Sequence, residues 1–204
     1  SWNCGIEGAT RKRSILDLRR KQMRNAMCFL LMAQGTPMIL AGDEFCNSQK
    51  GNNNCYCQDN DISWLDWRNA AKNEPFLDYA LIQFRQKHSV LHADHELAMT
   101  DFHGNGYPEL SYHGEDAWKI HSESCDRHVG MMYCEPLPVQ KDKWDNDYIY
   151  IAYNMHWEAK SFALPTLPGN YTWNTVLDTQ YPQFTAMPNA EPMLEKTKEI
   201  EVSP

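Results

Sequence analysis

The sequence has no long apolar run. Its longest, Ala26 to Ala33 (AMCFLLMA), falls far short of the roughly 20 residues of a membrane-spanning helix and reads as a core helix segment. A membrane protein of the helical kind is therefore not expected. There is no internal repeat and no low-complexity tract, which sets aside solenoids and linkers. Aromatic residues at 12% are too many for a disordered chain. G-x-S-x-G, P-loop and H-E-x-x-H patterns are all missing. The chain opens on Ser-Trp-Asn-Cys with no starting Met, and so reads as internal to a longer protein, with any leader out of view. Length is short in one specific sense. A complete eight-fold (β/α) barrel takes about 250 residues, and about 200 with nothing else attached. At 204 residues, any barrel accompanied by other material is expected to be incomplete.

What is present is an ordinary globular balance, 42% hydrophobic and 23% charged, enough for one domain or two small ones. The net charge of -8 is uneven: residues 1–34 carry seven Lys/Arg against two Asp/Glu, and residues 93–204 seven against eighteen. The basic segment interleaves charge with apolar positions, as the solvated face of an amphipathic helix does, so no nucleic-acid partner is expected. The seven cysteines are an odd number in a chain that is not small, which favours free thiols and a cytoplasmic location. Cys46, Cys55 and Cys57 cluster, yet C-x-C alone lacks the spacing of a zinc site, and no metal or cofactor is expected.

Periodicity supplies the elements. Thr10 can cap a helix over about Arg11 to Gln34, with an apolar stripe at Ile15, Leu18, Gln22, Ala26, Phe29 and Ala33, widened by Leu16, Met23, Met27, Leu30 and Leu31. Gly35 is a stop signal. The run Met38 to Ala41, closed by Gly42-Asp43-Glu44, reads as a buried parallel strand whose polar end carries function. A long polar loop follows to about Lys72, then a helix from about Asn73–Pro75 to His92 with a stripe at Leu77, Leu81, Phe84, His88 and Leu91. From about residue 93 short runs alternate with turn residues: Leu110–His113, Val129–Tyr133, Tyr148–Tyr153, Lys160–Leu164 and Tyr171–Val176. Strands at this spacing suggest an antiparallel β-sandwich.

The loop Asn52-Asn53-Asn54, Tyr56, Gln58-Asp59-Asn60, with Trp64 and Trp67, suits a sugar. Amide side chains both donate and accept toward hydroxyls, and aromatic rings stack on sugar C–H faces. The competing reading is that Asn and Asp here satisfy their own backbone in side-chain turns. Glycoside hydrolysis needs two carboxyl groups flanking the bond, about 5–5.5 Å apart in a retaining enzyme. Adjacent Asp43 and Glu44 are not such a pair by spacing.

Several stretches resemble a known family. Ser1-Trp2-Asn3-Cys4-Gly5-x-Glu7-Gly8-x-Thr10, then Leu18-Arg19-x-x-Gln22-x-Arg24-Asn25, then Gln34-Gly35-Thr36-Pro37-Met38 through Gly42-Asp43-Glu44 are similar to isoamylase-type debranching enzymes of glycoside hydrolase family 13. The strongest piece is Gly51-Asn52-Asn53-Asn54-x-Tyr56-Cys57-Gln58-Asp59-Asn60 with Ile62-Ser63-Trp64 and Asp66-Trp67. Tyr112-His113-Gly114, Asn154-x-His156-Trp157-Glu158 and Phe162-x-Leu164-Pro165 resemble the family's C-terminal β-domain.

The resemblance implies an α+β fragment: residues 1–92 as the last helices and strand of a (β/α) barrel, and residues 93–204 as a β-sandwich. It implies an α-1,6-glucan debranching glycosidase acting on glycogen or limit dextrin with retention. The family's three catalytic carboxylates precede the S-W-N-C-G stretch, so none maps here and the isolated chain is expected to be inactive. Asp43, Glu44, Asn52, Asn53, Asn54, Tyr56, Gln58 and Asp59 would contact a branched glucan. Self-association through uncovered barrel surfaces is expected. One departure stands out: Cys46-Asn47-Ser48-Gln49 replaces the family's usual Gly-Arg-Thr-Gln, removing a cation near the substrate. The alternative is a glucan-binding or structural β-sandwich module without catalysis.

Overall fold

The computed structural model describes residues 2–70, 76–120, 127–140, 143–169, 171–181 and 198–204. It is an α+β fold with few helices and antiparallel sheets. Helices α1 (Arg13–Met32), α2 (Trp67–Ala70) and α3 (Phe76–Lys87) are followed by strands β1 (Leu110–His113), β2 (His128–Gln140), β3 (Lys143–Asn154), β4 (Lys160–Ala163) and β5 (Glu199–Val202). No helix among the described residues is long and apolar enough to cross a membrane. The chain divides into two compact units, Ser1–Gln86 with Leu177–Phe184, and Lys87–Val176 with Thr185–Pro204.

In the first unit, α1 starts two residues later than expected, at Arg13. Thr10 is not its cap: the Thr10 hydroxyl accepts the N–H of Lys12 ahead of the helix, and the Lys12 carbonyl takes the N–H groups of Ile15 and Leu16. The expected stripe is also turned away from the core. Leu18, Met23, Ala26 and Phe29 are exposed, while Cys28, Leu31 and Met32 are buried at the C-terminal end. An apolar face buries only where another element covers it, and of the widened stripe Leu31 is buried while Ile15, Leu16, Met27 and Leu30 are half-buried.

The end of α1 is secured by Arg85 of α3. Its guanidinium, itself buried, donates to the carbonyls of Leu31 (2.7 Å), Ala33 (2.6 Å) and Gly35 (2.6 Å). These include groups a helix cannot satisfy internally, and the cation complements the negative end of the helix dipole. Residues 36–40 then carry no regular secondary structure, and Ala41 enters a turn. The expected buried parallel strand is absent: Met38 is 83% exposed, Leu40 is exposed, and no described strand pairs with the segment. A parallel strand needs neighbours on its edges to bury it. The expected helix start at Asn73–Pro75 lies outside the described residues. Leu81 and Leu91 of its stripe are buried as expected, but Leu91 belongs to a separate 3-10 turn, Ser89–His92.

In the second unit β1, β2 and β3 form an antiparallel sheet in chain order, with Leu110 opposite Tyr133, His113 opposite Gly130 and Val129 opposite Tyr153. Strands β4 and β5 pair separately, Lys160 opposite Val202 and Ala163 opposite Glu199. Met132, Tyr133, Cys134, Ile149, Phe162 and Leu164 are buried together with Val90, Leu91 and Leu97. Tyr171–Val176 forms no strand; part of the second pairing comes instead from Glu199–Val202. The alternation in β1 is regular but places Ser111 and His113, not Leu110 and Tyr112, in the interior.

Candidate functional site

The loop that carries the expected sugar contacts begins at Gly42. Its φ of 104° lies in the left-handed region, and a Cβ there would stand 2.7 Å from the Asn47 Cβ and 2.8 Å from the Leu65 Cδ2. Only glycine fits both the conformation and the space. The carbonyl of Gly42 accepts the N–H groups of Phe45 (3.2 Å) and Asn47 (2.8 Å), closing a 3-10 turn over Asp43–Phe45. Phe45 is buried and anchors the turn, its ring 4.9 Å from that of Trp67.

The two carboxylates of the turn have different surroundings. Glu44 folds back, its Oε2 accepting the N–H of Gly42 (2.7 Å). Asp43 is exposed, accepts the N–H of Leu40 through Oδ2 (3.2 Å), and borders a hollow of about 280 Å³ lined by Leu40, Ala41, Asn47, Ser48 and Gln49. Glu44 therefore shapes the turn, and Asp43 faces outward.

Beyond the turn, the side chains of the Asn-rich loop divide into those that bond their own backbone and those that stand exposed. Asn52 Oδ1 accepts the N–H of Asn54 (2.9 Å), and Asn60 Oδ1 that of Ile62 (2.9 Å), the side-chain turns that such residues make for their own backbone. Gln58 Nε2 donates to the carbonyl of Asn54 (3.4 Å), and the Ser63 hydroxyl donates to the carbonyls of Gln58 and Asn60. Asp59 Oδ1 accepts the indole N–H of Trp64 (2.7 Å), which sets the ring's direction. Asn53 and Asn54 are exposed, Tyr56 is 92% exposed, and Trp64 and Trp67 are exposed. The loop is thus braced internally by Asn52, Gln58, Asp59 and Asn60, and it presents Asn53, Asn54, Tyr56 and two tryptophans. Lys50 pairs with Asp61, whose carboxyl is held below its ordinary range by the hydrogen bond and charge of that lysine.

The S-W-N-C-G stretch lies beside this loop: a Cβ on Gly51 would stand 3.9 Å from Glu7 Oε1. Arg19 of α1 clamps the stretch. Its Nε and Nη2 donate to the Asn3 carbonyl (3.2 and 2.9 Å), Nη1 to that of Gly8 (2.9 Å), and Nη2 also to that of Ile6. Asn3 in turn accepts the N–H of Gly5 (2.9 Å) and donates to Glu7 (3.0 Å). The motif's Asn, Gly, Glu and Arg thus build one small scaffold under the loop.

Three residues had no sequence signal pointing to their roles. Arg19 and Arg85 look like other helix-surface cations, and only the backbone carbonyls brought to them distinguish them. His113 is fully buried; its Nδ1 accepts the N–H of Trp118 (2.8 Å), which makes Nε2 the protonated nitrogen facing the Ser111 hydroxyl (2.9 Å). Burial pushes its pKa down to about 4. Among the described residues no group of three or more His, Cys, Asp or Glu side chains is placed to hold a metal ion.

No family model matches the chain. It is 47% identical over 97 residues to the glycogen operon protein GlgX homolog of Mycobacterium tuberculosis, a match that covers 48% of this chain and 13% of that protein. It is 34% identical over 187 residues to chloroplastic isoamylase 1 of Arabidopsis thaliana, covering 89% of this chain and 22% of the relative. Among solved structures, a pullulanase from Bacillus acidopullulyticus superposes with a TM-score of 0.58 at 18% identity, covering 95% of this chain and 20% of that one; at that identity the likeness concerns the fold. The chain thus spans about a fifth or less of the length of the proteins it matches. A likeness that runs through both units, at a third of the positions and over nearly nine-tenths of the chain, places it in the isoamylase-type debranching enzyme family, of whose members it represents a segment.

Proposed function

We propose that the chain is the part of an α-1,6-glucan debranching glycosidase that borders the mouth of the active site and carries the adjoining β-domain. In this reading residues 1–92 complete the (β/α) barrel and residues 93–204 form the β-sandwich. The parent enzyme hydrolyses branches of glycogen or limit dextrin with retention, in the cytoplasm, through carboxylates that this chain does not contain. Asp43, Asn53, Asn54 and Tyr56 contact the glucan, while Glu44, Asn52, Gln58 and Asp59 hold the loop that presents them.

The observation that carries the proposal is the construction of the loop. Its backbone is satisfied by its own side chains, so the exposed aromatics and amides are held out in place without ordering on binding. Exposed Leu18 and Met23 of α1 and the Met38–Leu40 segment, which pairs with no strand among the described residues, are surfaces that the rest of a barrel would cover, and they support self-association of the isolated chain.

Two measurements test this. The purified 204-residue chain is expected to release no reducing ends from glycogen, and measurable release would sink the assignment of catalysis elsewhere. In native gels containing glycogen, Tyr56→Ala is expected to reduce retardation by about fivefold, the usual effect of losing a principal aromatic contact. Retardation equal to that of the wild type would remove the loop from the substrate site.

A further inference from the structure

Residues 154–158 join β3 to β4 and hold an indole out into solvent: Trp157 is 67% exposed. Single exposed apolar residues are common and mean little alone. This one sits on a loop that is tied down at every turn. Asn154 Oδ1 accepts the N–H of His156 (2.9 Å), and its Nδ2 donates to the carbonyls of Glu158 (2.9 Å) and Val202 (2.8 Å). The N–H of Met155 donates to the Arg127 carbonyl (2.8 Å), which joins the loop to the residue that precedes β2. The N–H of Glu158 donates to His156 Nδ1 (3.0 Å), so the neutral imidazole carries its proton on Nε2.

The groups around the indole are all planar and polar. The His156 ring stacks on Trp157 at 4.1 Å between centroids and 28° between planes. The Arg127 guanidinium lies 5.1 Å from the indole centroid. The Glu158 carboxylate is 3.9 Å from His156 Nδ1 and is itself exposed.

We propose that Trp157, flanked by Arg127, His156 and Glu158, is a surface subsite for a linear α-glucan chain on the second unit, separate from the loop of the first. The choice of ligand rests on the glucan reading above; the site's chemistry narrows it independently. The indole, with two-thirds of its surface exposed beside the His156 ring and the Arg127 guanidinium, has apolar area open to the C–H face of a pyranose. A guanidinium and an imidazole N–H donate to hydroxyls, and a carboxylate accepts from them, which suits a ligand whose groups do both. The opposite charges of Arg127 and Glu158, one near the indole and one near His156, disfavour an anionic or a cationic ligand and leave a neutral polyol as the best match. Rigid presentation means that little conformational freedom is lost on binding.

The test uses the full 204-residue chain in native gels containing glycogen, with linear maltooligosaccharide as a soluble competitor and dextran as a polymer of different linkage. Trp157→Ala is expected to weaken retardation about fivefold to tenfold, Trp157→Phe to restore part of it, and dextran to retard neither. The side chain is exposed, so an unchanged far-UV circular dichroism spectrum is expected for both variants. Wild-type retardation of Trp157→Ala overturns the proposal, as does self-association that is lost with Trp157 when no glucan is present, which would make the indole a protein contact. Loss with Trp157→Ala but not with Tyr56→Ala keeps this subsite and rejects the loop; the converse keeps the loop and rejects the subsite.

Discussion

Lowering the pH should destabilise the second unit through one residue, His113. Its ring is fully buried, and both nitrogens are already engaged: Nδ1 accepts the Trp118 N–H and Nε2 faces the Ser111 hydroxyl. Adding a proton at Nδ1 would set it against the N–H that now points there, and would place a charge where no water reaches it. Burial holds the folded-state pKa at about 4, against 6.5 for the ordinary imidazole. The sign follows directly. The unfolded chain takes up the proton first as pH falls, so the stability is fully present above about 6.5 and is lost between there and about 4. The full shift corresponds to about 3 kcal/mol, of which about 2 kcal/mol is gone by pH 5. Urea denaturation followed by circular dichroism, compared between pH 7.5 and pH 5 for the wild type and His113→Gln, isolates this contribution from other titrating groups. The variant should be less stable at pH 7.5, because Gln cannot reproduce both hydrogen bonds, but it should lose about 2 kcal/mol less on acidification. Equal pH dependence in the two proteins, or an NMR titration of His113 near 6.5, would refute the reasoning.

Other expectations follow from the same kind of geometry. Arg85→Met should destabilise the first unit by about 3 kcal/mol, since three carbonyls lose a charged donor, and Arg85→Lys should recover only part because one ammonium cannot span all three; a urea midpoint unchanged for Arg85→Met would contradict this. Gly42→Ala combines a left-handed φ with two sub-van der Waals contacts and should cost about 2 kcal/mol or more, measurable as a lowered thermal midpoint. His95 titrates above its ordinary value because of its hydrogen bonds to Asp94 and Glu109. Glu109→Gln should therefore bring its NMR titration down toward that value, and an unmoved midpoint would break the assignment.

Much of the fold was legible along the chain because local patterns decide it. Leu110–His113 is a strand with the expected bounds and Lys160–Ala163 nearly so, while β2 and β3 contain the expected Val129–Tyr133 and Tyr148–Tyr153 but run well beyond them. The exceptions share a cause. The Met38–Ala41 run is an apolar pattern that presupposes a strand partner, and no described strand supplies one; the α1 stripe is buried only toward its C-terminal end. Tyr171–Val176 has strand composition but makes only an isolated bridge at Asn174, whereas Glu199–Val202, charged at alternate positions, pairs with β4. Strand pairing is a property of two segments, and a single segment's composition cannot specify it.

At the candidate site, residue types and spacing were enough to single out the loop as a candidate. They could not divide its residues into those that brace and those that face outward, because Asn and Asp serve either purpose equally well. That division came from tertiary structure: Asn52 and Asn60 turn to neighbouring N–H groups, Glu44 folds onto Gly42, and Asp59 steers Trp64, leaving Asp43, Asn53, Asn54 and Tyr56 outward. Family membership is a matter of residue order and was readable from the sequence alone. The roles of Arg19, Arg85 and His113 were not. A guanidinium becomes a clamp, and an imidazole loses its proton, only when folding brings distant carbonyls to the one and closes a dry interior around the other.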